Sequence, residues 1–327
     1  MKNIKILITA ILVCCLFSFV QGQSSKKHKG SNISMMNHSG NGSPDVTKGF
    51  WNTEEDMGEI HLTLQNSGKN NGSYFQIGSY YPIAEFKIST GSGRDRFEIV
   101  RPAGNMILVG EMEDMSGMGR YEFIPSNDFK SFLRTKGLSD ISSLHMLKLF
   151  MGDCDEKYVN DLKKLYNGLT IKDLGKLSMH HVDISYIKSI RSEGYENMEL
   201  NMMKKFFIHG VTPKYIQDLR KAGYDNIEPN MMKKFVIHDV TADYLKSLNA
   251  LGLTDIEHNK IKKLAVNDIS IQYIKEIVNT GIAVTNVKDL IKSRDHNLNA
   301  RFIKNAMASG NGGDDLHDMI KYKKRGR

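Results

Sequence analysis

The sequence predicts an α+β protein in separate domains: a small antiparallel β-sheet domain followed by an α-solenoid of two-helix repeats. Two observations carry this expectation. Residues 49–125 hold short alternating apolar runs divided by glycine and asparagine clusters, the period-two pattern of half-buried strands. From residue 126 a pattern of about 29 residues recurs, most visibly as His209-Gly-Val-Thr-Pro-Lys-Tyr-Ile and His238-Asp-Val-Thr-Ala-Asp-Tyr-Leu. A chain of 327 residues, 40% hydrophobic and 25% charged, has enough apolar material for both parts and is neither disordered nor collagen-like in composition.

The N-terminal apolar run, Ile6 to Val20, is shorter than the ~20 residues a membrane-spanning helix requires. It follows Lys2 and Lys5 and ends at Val20-Gln21-Gly22, the order of a charged region, an apolar region and a small-residue cleavage site. Residues 1–22 are therefore expected to be a signal peptide. The mature chain is expected to start near Gln23, to lack a transmembrane segment and to be periplasmic or secreted. Cys14-Cys15 raise a lipoprotein alternative, which Val13 disfavours because lipid-attachment sites have a small residue there. After cleavage Cys154 is the sole cysteine, so a monomer, the expected state, has no internal disulfide. It reads as a buried small hydrophobe, with disulfide-linked dimerisation as the alternative.

Residues 23–48, rich in Ser, Asn, Gly, Lys and His, read as a disordered linker. The β domain, 49–125, is read as a meander of about six strands from the runs Ile60, Leu62, Leu64; Ala84, Phe86, Ile88; Phe97, Ile99; Met106 to Val109; and Tyr121, Phe123. Trp51 is expected to cap it.

The solenoid is assigned to residues 126–310, in about seven units. Expected helix N-caps are Ser126, Asp155, Asp183, Thr212, Thr241, Ser270 and Asn299, whose side chains can accept from free N–H groups of the first turn. Three residues on stands an aromatic (Phe129, Tyr158, Tyr186, Tyr215, Tyr244, Tyr273, Phe302), and four further an aliphatic (Leu133, Leu162, Ile190, Leu219, Leu248, Ile277, Ala306), so the two share a face. Gly137, Gly194, Gly223, Gly252, Gly281 and Gly310 fall eleven residues after their caps, where a left-handed residue ends a helix; Gly168 comes late and marks an irregular second unit. A second helix per unit buries Met146, Leu174, Met203, Met232, Ile261 or Leu290, with Pro229 in a first turn, and Gly210, Asp239 and Asp268 turn the chain into the next unit. Helices of about ten residues are marginal alone, so the units must stack. Residues 311–327 read as a basic flexible tail.

The 29-residue pattern, with its His-Gly-Val-Thr-Pro-x-Tyr-Ile seam, resembles uncharacterised exported bacterial repeat proteins and is similar to arrays appended to membrane metallopeptidase receptors of the β-lactam-sensor type. The stretch Phe97-Glu-Ile-Val-Arg-Pro-Ala-Gly to Gly117-Met-Gly-Arg-Tyr-Glu-Phe-Ile-Pro is similar to the β module that precedes such repeats. The resemblance spans roughly residues 50 to 310 and implies architecture, with a role in envelope-stress or antibiotic sensing as one functional alternative. His-Glu-x-x-His is absent, so the receptors' zinc protease chemistry does not carry over.

The net charge of +8 is concentrated at the ends. Lys2, Lys5, Lys26, Lys27, Lys29, Lys321, Lys323, Lys324, Arg325 and Arg327 supply ten positive charges, which leaves −2 for everything between and gives no argument for specific nucleic-acid binding. Ser185-Tyr-Ile-Lys188 matches Ser-x-x-Lys, but Ser185 aligns with Lys214 and Asp243 of later units, ordinary first-turn positions. His180, His209, His238 and His296 recur at one repeat position, ~8–10 Å apart by the spacing of packed helices, too far to share a zinc ion. They read as helix C-terminal residues favoured by the dipole. Glu111, Glu113 and Asp114 read as a solvated loop edge, and a β-domain hydrolase site built on them is the weakest functional alternative. No catalytic residue, metal ligand or cofactor site is assigned.

The most regular polar feature is a lysine column: Lys148, Lys176, Lys205, Lys234, Lys263 and Lys292. It reads either as a solvated face near helix C-termini or as a ridge that binds an acidic surface. The function expected is that of a non-catalytic exported scaffold binding an unidentified protein or acidic polymer.

Overall fold

Eight strands, all pairing antiparallel, form the N-terminal part of the computed structural model, which describes residues 33–36, 45–56, 58–67, 74–91 and 94–326. They are β1 (Ile33–Met36), β2 (Lys48–Asp56), β3 (Glu59–Ser67), β4 (Tyr74–Tyr81), β5 (Lys87–Gly91), β6 (Arg94–Arg101), β7 (Gly104–Glu113) and β8 (Ser116–Pro125), in the order β1-β4-β3-β2-β8-β7-β6-β5. The segment read as a signal peptide with its cleavage site, and most of the stretch read as a linker, lie outside the described residues. Alternation does what the sequence pattern requires: Trp51, Leu62, Leu64, Ile77, Met106 and Leu108 point to one buried face. Trp51 is part of that core, edge-on to Phe97 with ring centroids 6.1 Å apart, and not a cap over it.

The sheet is wider than the six strands expected. The added edge strand β1 falls within the stretch assigned to the linker and pairs with β4 from Ile33 opposite Ile77 to Met36 opposite Tyr74. Main-chain pairing of this kind is indifferent to the polar composition around it. The hairpin joining β7 and β8 turns on Asp114 and Met115, both with positive φ (46° and 66°), as a two-residue turn requires.

Helices follow in pairs: α1 (Asn127–Thr135), α2 (Ser143–Met151), α3 (Glu156–Leu165), α4 (Ile171–Met179), α5 (Ile184–Ser192), α6 (Leu200–His209), α7 (Pro213–Lys221), α8 (Pro229–Ile237), α9 (Ala242–Ala250), α10 (His258–Val266), α11 (Ile271–Val278), α12 (Val287–Asp295), α13 (Ala300–Ala308) and α14 (Leu316–Arg325). Even-numbered helices pack on even and odd on odd, the arrangement of a solenoid. All seven expected N-caps accept a bond from the N–H three residues on. All six even-helix core positions, Met146 to Leu290, are buried. Gly137, Gly194, Gly223, Gly252, Gly281 and Gly310 have positive φ; α3 instead ends on extended Tyr166, so the second unit is irregular as expected.

Side chains stitch each unit to the next. The hydroxyls of Tyr158, Tyr186, Tyr215, Tyr244 and Tyr273 donate to the carbonyls of Val182, Val211, Val240, Ile269 and Leu298, at 2.6, 2.8, 2.6, 3.0 and 3.2 Å. Each acceptor immediately precedes the cap of the following unit. In the opposite direction Arg191, Arg220 and Asn249, again one repeat position, donate to the carbonyls of Leu165, Glu193 and Ala222 at the ends of the preceding odd helices. Those carbonyls have no partner within their own helix turn, so the bonds complete the helices as well as joining them.

Sheet and stack meet at α2, which packs on β7 and β8. Arg101, its side chain 6% exposed, donates to the carbonyls of Phe150 and Met151 at the C-terminal end of α2, pairs with Glu85 at 2.7 Å and lies 4.4 Å over the Tyr81 ring. At the other end the tail reading is corrected: residues 316–325 form α14, which buries Leu316, Met319 and Ile320 against the stack. Those three residues are a helical stripe that the surrounding lysines obscure.

Two substitutions test this framework. Tyr215→Phe deletes the hydroxyl that serves Val240 and leaves that carbonyl without its donor, so we expect a loss of about 1–3 kcal/mol in chemical denaturation. At Gly223, with φ of 90°, an added Cβ meets no atom within 4 Å, so the cost of Gly223→Val is conformational alone. It should exceed ~1 kcal/mol in thermal melts, and an unchanged melting temperature would refute the helix-stop assignment.

Candidate functional site

The even helices carry the lysine column on their outer side. Each lysine follows an inward residue by two positions and precedes another buried one, as Lys205 lies between Met203 and Phe206. Five of the six are half-buried, and Lys263 is exposed. Their stems lie along the apolar surface while the ammonium groups reach water. Lys176 stands 4.0 Å from Asp173 and Lys292 3.3 Å from the buried Asp289, whereas Lys148, Lys205, Lys234 and Lys263 have no ion-pair partner among the described residues.

The structure adds rungs that the single-register reading passed over. Lys172, Lys204, Lys233 and Lys262 lie on the same helices, beside the column. Burial, then the charges of Lys172 and Lys176, holds the Lys148 ammonium below the usual lysine range. Burial, then Lys176 and Lys205, does the same to Lys204. Cations on successive helices are therefore close enough to disfavour one another's charge. The signal for the added residues is visible in the sequence as the doublets Lys204-Lys205, Lys233-Lys234 and Lys262-Lys263, spaced by one repeat.

Helices α6, α8 and α10 hold seven lysines and not one aspartate or glutamate. Their acids, Glu199, Glu228 and Glu257, stand at the N-cap positions, at the opposite end from the column. A chain region that is nearly neutral in sum thus has one acid-free cationic face.

The other candidate residues form no reactive set. Among the described residues no group of three or more His, Cys, Asp or Glu could hold a metal ion. Ser185 sits in the first turn of α5 and donates to the cap carboxylate of Asp183 at 2.5 Å, while Lys188 points to solvent from the same helix. Cys154 is buried, and burial pushes its thiol up, away from reactivity. Glu111, Glu113 and Asp114 are exposed at the β7–β8 hairpin. His180, His209, His238 and His296 do stand at helix C-termini. At two of them, burial first and then neighbouring charges, chiefly lysines, lower His180 and His209 below the usual histidine value.

Comparison of the chain with protein-family models, with curated proteins and with solved structures finds no match.

The histidine shifts carry a sign. Below the ordinary value of 6.5 the unfolded chain takes up protons before folded His180 and His209 do, so their contribution, present above about pH 6.5, is lost as pH falls toward their folded values. The double variant His180→Gln, His209→Gln should therefore lose less melting temperature than the parent on acidification from about pH 7.5 to about pH 5.5.

Proposed function

We propose that this chain is an exported, non-catalytic interaction protein whose even-helix face binds an acidic protein surface or another anionic polymer. The acid-free run of lysines across α6, α8 and α10, continued by Lys148 and Lys176, is the observation that supports it. Rungs ~8–10 Å apart are within about one Debye length at physiological salt, so their fields add toward a polyanion that runs along the stack. Half-buried stems also reduce the entropy lost when each ammonium is fixed by a partner.

Immobilised poly-L-glutamate is a direct probe. Wild-type protein should bind it at low salt and release it steeply as ionic strength rises. The triple variant Lys205→Glu, Lys234→Glu, Lys263→Glu should lose at least about tenfold in affinity while a circular-dichroism melt shows it still folded, because none of the three lysines has an ion-pair partner to lose among the described residues. Equal capture by the triple variant would refute the proposal.

A further inference from the structure

The cationic face is not uniformly polar. Ile208, Ile237 and Val266 are 45%, 45% and 48% exposed and occupy one repeat position on α6, α8 and α10. Residues three and four apart share a helical face, so Ile208 stands beside Lys204 and Lys205, Ile237 beside Lys233 and Lys234, and Val266 beside Lys262 and Lys263. The same position in the flanking units holds Met151 and Met179, both buried, and Asp295. At this repeat position exposed aliphatics therefore occur on α6, α8 and α10, three successive even helices without an acid of their own. Single exposed aliphatics need no explanation; three in register with doubled lysines serve no purpose in a merely solvated face.

We infer that this three-helix strip is a docking track for an extended acidic peptide that carries an aliphatic side chain at about every third residue. The inference rests on the anionic-binding reading above and specifies its partner. Charge complementarity requires the acids, because the three doublets offer six ammonium groups and their helices no carboxylate, the seventh lysine, Lys260, being paired with the N-cap Glu257 at 2.9 Å. Spacing requires an extended form of threefold period: packed helices are ~8–10 Å apart, and three residues of polyproline II chain rise about 9 Å and complete one turn, returning every third side chain to the same side. Each rung then receives one aliphatic side chain against Ile208, Ile237 or Val266, with the two intervening acids over the lysine doublet. A helical ligand, ~10–12 Å wide, would cover the lysine stems and place only one residue in two turns on each rung. A purely anionic polymer leaves the aliphatics idle. A bilayer surface is met by bulky Trp, Phe or Leu side chains, and α6 and α8 bury their phenylalanines Phe206, Phe207 and Phe235.

The probe is a synthetic peptide of Asp-Ile-Glu repeated four times, compared with an isomer in which the same isoleucines are consecutive, with poly-L-glutamate and with phosphatidylglycerol vesicles. The variant Ile208→Ser, Ile237→Ser, Val266→Ser alters exposed positions only, and a circular-dichroism melt checks that it folds as wild type does. Wild type should bind the repeat peptide about tenfold more tightly than its isomer, and the serine variant should lose about tenfold for the repeat peptide while binding poly-L-glutamate unchanged. If both proteins bind both peptides equally while poly-L-glutamate still binds in a salt-dependent way, the peptide track is refuted and the anionic face stands. If poly-L-glutamate itself does not bind, both readings fall. Loss of vesicle binding in the serine variant, with no competition by the peptide, would overturn the track in favour of a membrane surface.

Discussion

The stack depends on one hydrogen bond made five times. A tyrosine in the first turn of an odd helix reaches forward to the carbonyl that precedes the next unit's cap, and that carbonyl lies outside any helix, with no intrahelical N–H to satisfy it. Burial pushes the hydroxyls of Tyr158, Tyr186, Tyr215 and Tyr244 well above their ordinary value, so they remain protonated donors across all ordinary pH. The same first turn is fixed by the cap, which accepts from the tyrosine's own N–H. Cap, aromatic and acceptor thus set the axial repeat together, and the period of about 29 residues is the chain length that returns this set to register. At the ends the aromatic is Phe129 or Phe302, without a hydroxyl. The phenylalanine at the far end needs no forward acceptor because no further odd helix follows α13 among the described residues.

A stack also needs ends that do not expose its core. At the N-terminal end the sheet covers α2, and the polar content of that joint is concentrated in Arg101. A guanidinium taken from water is costly unless its donors are filled. Here they are shared between two helix carbonyls, the Glu85 carboxylate and Asp153, with Tyr81 and Phe150 rings beneath the planar group. The cation sits where the helix dipole is negative, so the same group that joins the two parts finishes α2. Phe123 of β8 packs on Phe150 with centroids 5.2 Å apart, which makes the joint a continuation of both cores and not a flexible hinge. At the other end α14 performs the covering role, and its outer turns carry the basic residues that made it look like a tail.

The stack was legible in the sequence because its determinants are local and repeated. Caps, left-handed glycines and inward aliphatics each follow from spacing within one unit, and repetition removes the ambiguity that any single motif carries. The hydrogen bonds between units were not legible, since Tyr215 and Val240 meet only after the helices have stacked. Strand β1 escaped for a different reason: it is held by main-chain pairing, and Ile33 to Met36 are embedded in a polar stretch. In the candidate face, the lysine column and its doublets Lys204-Lys205 and Lys233-Lys234 were visible as a period, but which of these lysines face one another required knowing which helices are neighbours. The lowered values of His180 and His209 were hidden for a related reason: burial, and after it Lys204 and Lys233 of the following unit, act on them only once the helices have stacked.

The division between structural and functional surface follows from how closely the even helices approach. Between α2 and α4 the contact is tight: a Cβ on Gly152 would lie 2.2 Å from the Ser178 hydroxyl oxygen, and one on Gly175 would lie 3.6 Å from the Lys148 Cβ. That approach buries Met151 and Met179 and brings Lys148 close to Lys172 and Lys176. From α6 onward the residues equivalent to Met151 and Met179 are turned out as Ile208, Ile237 and Val266. In these units the inward positions, Met203, Met232 and Ile261, complete the packing without them. Ile208, Ile237 and Val266 are thereby released from the packing that holds Met151 and Met179, and exposed side chains that add little to a solenoid's stability are free to be shaped by what they bind.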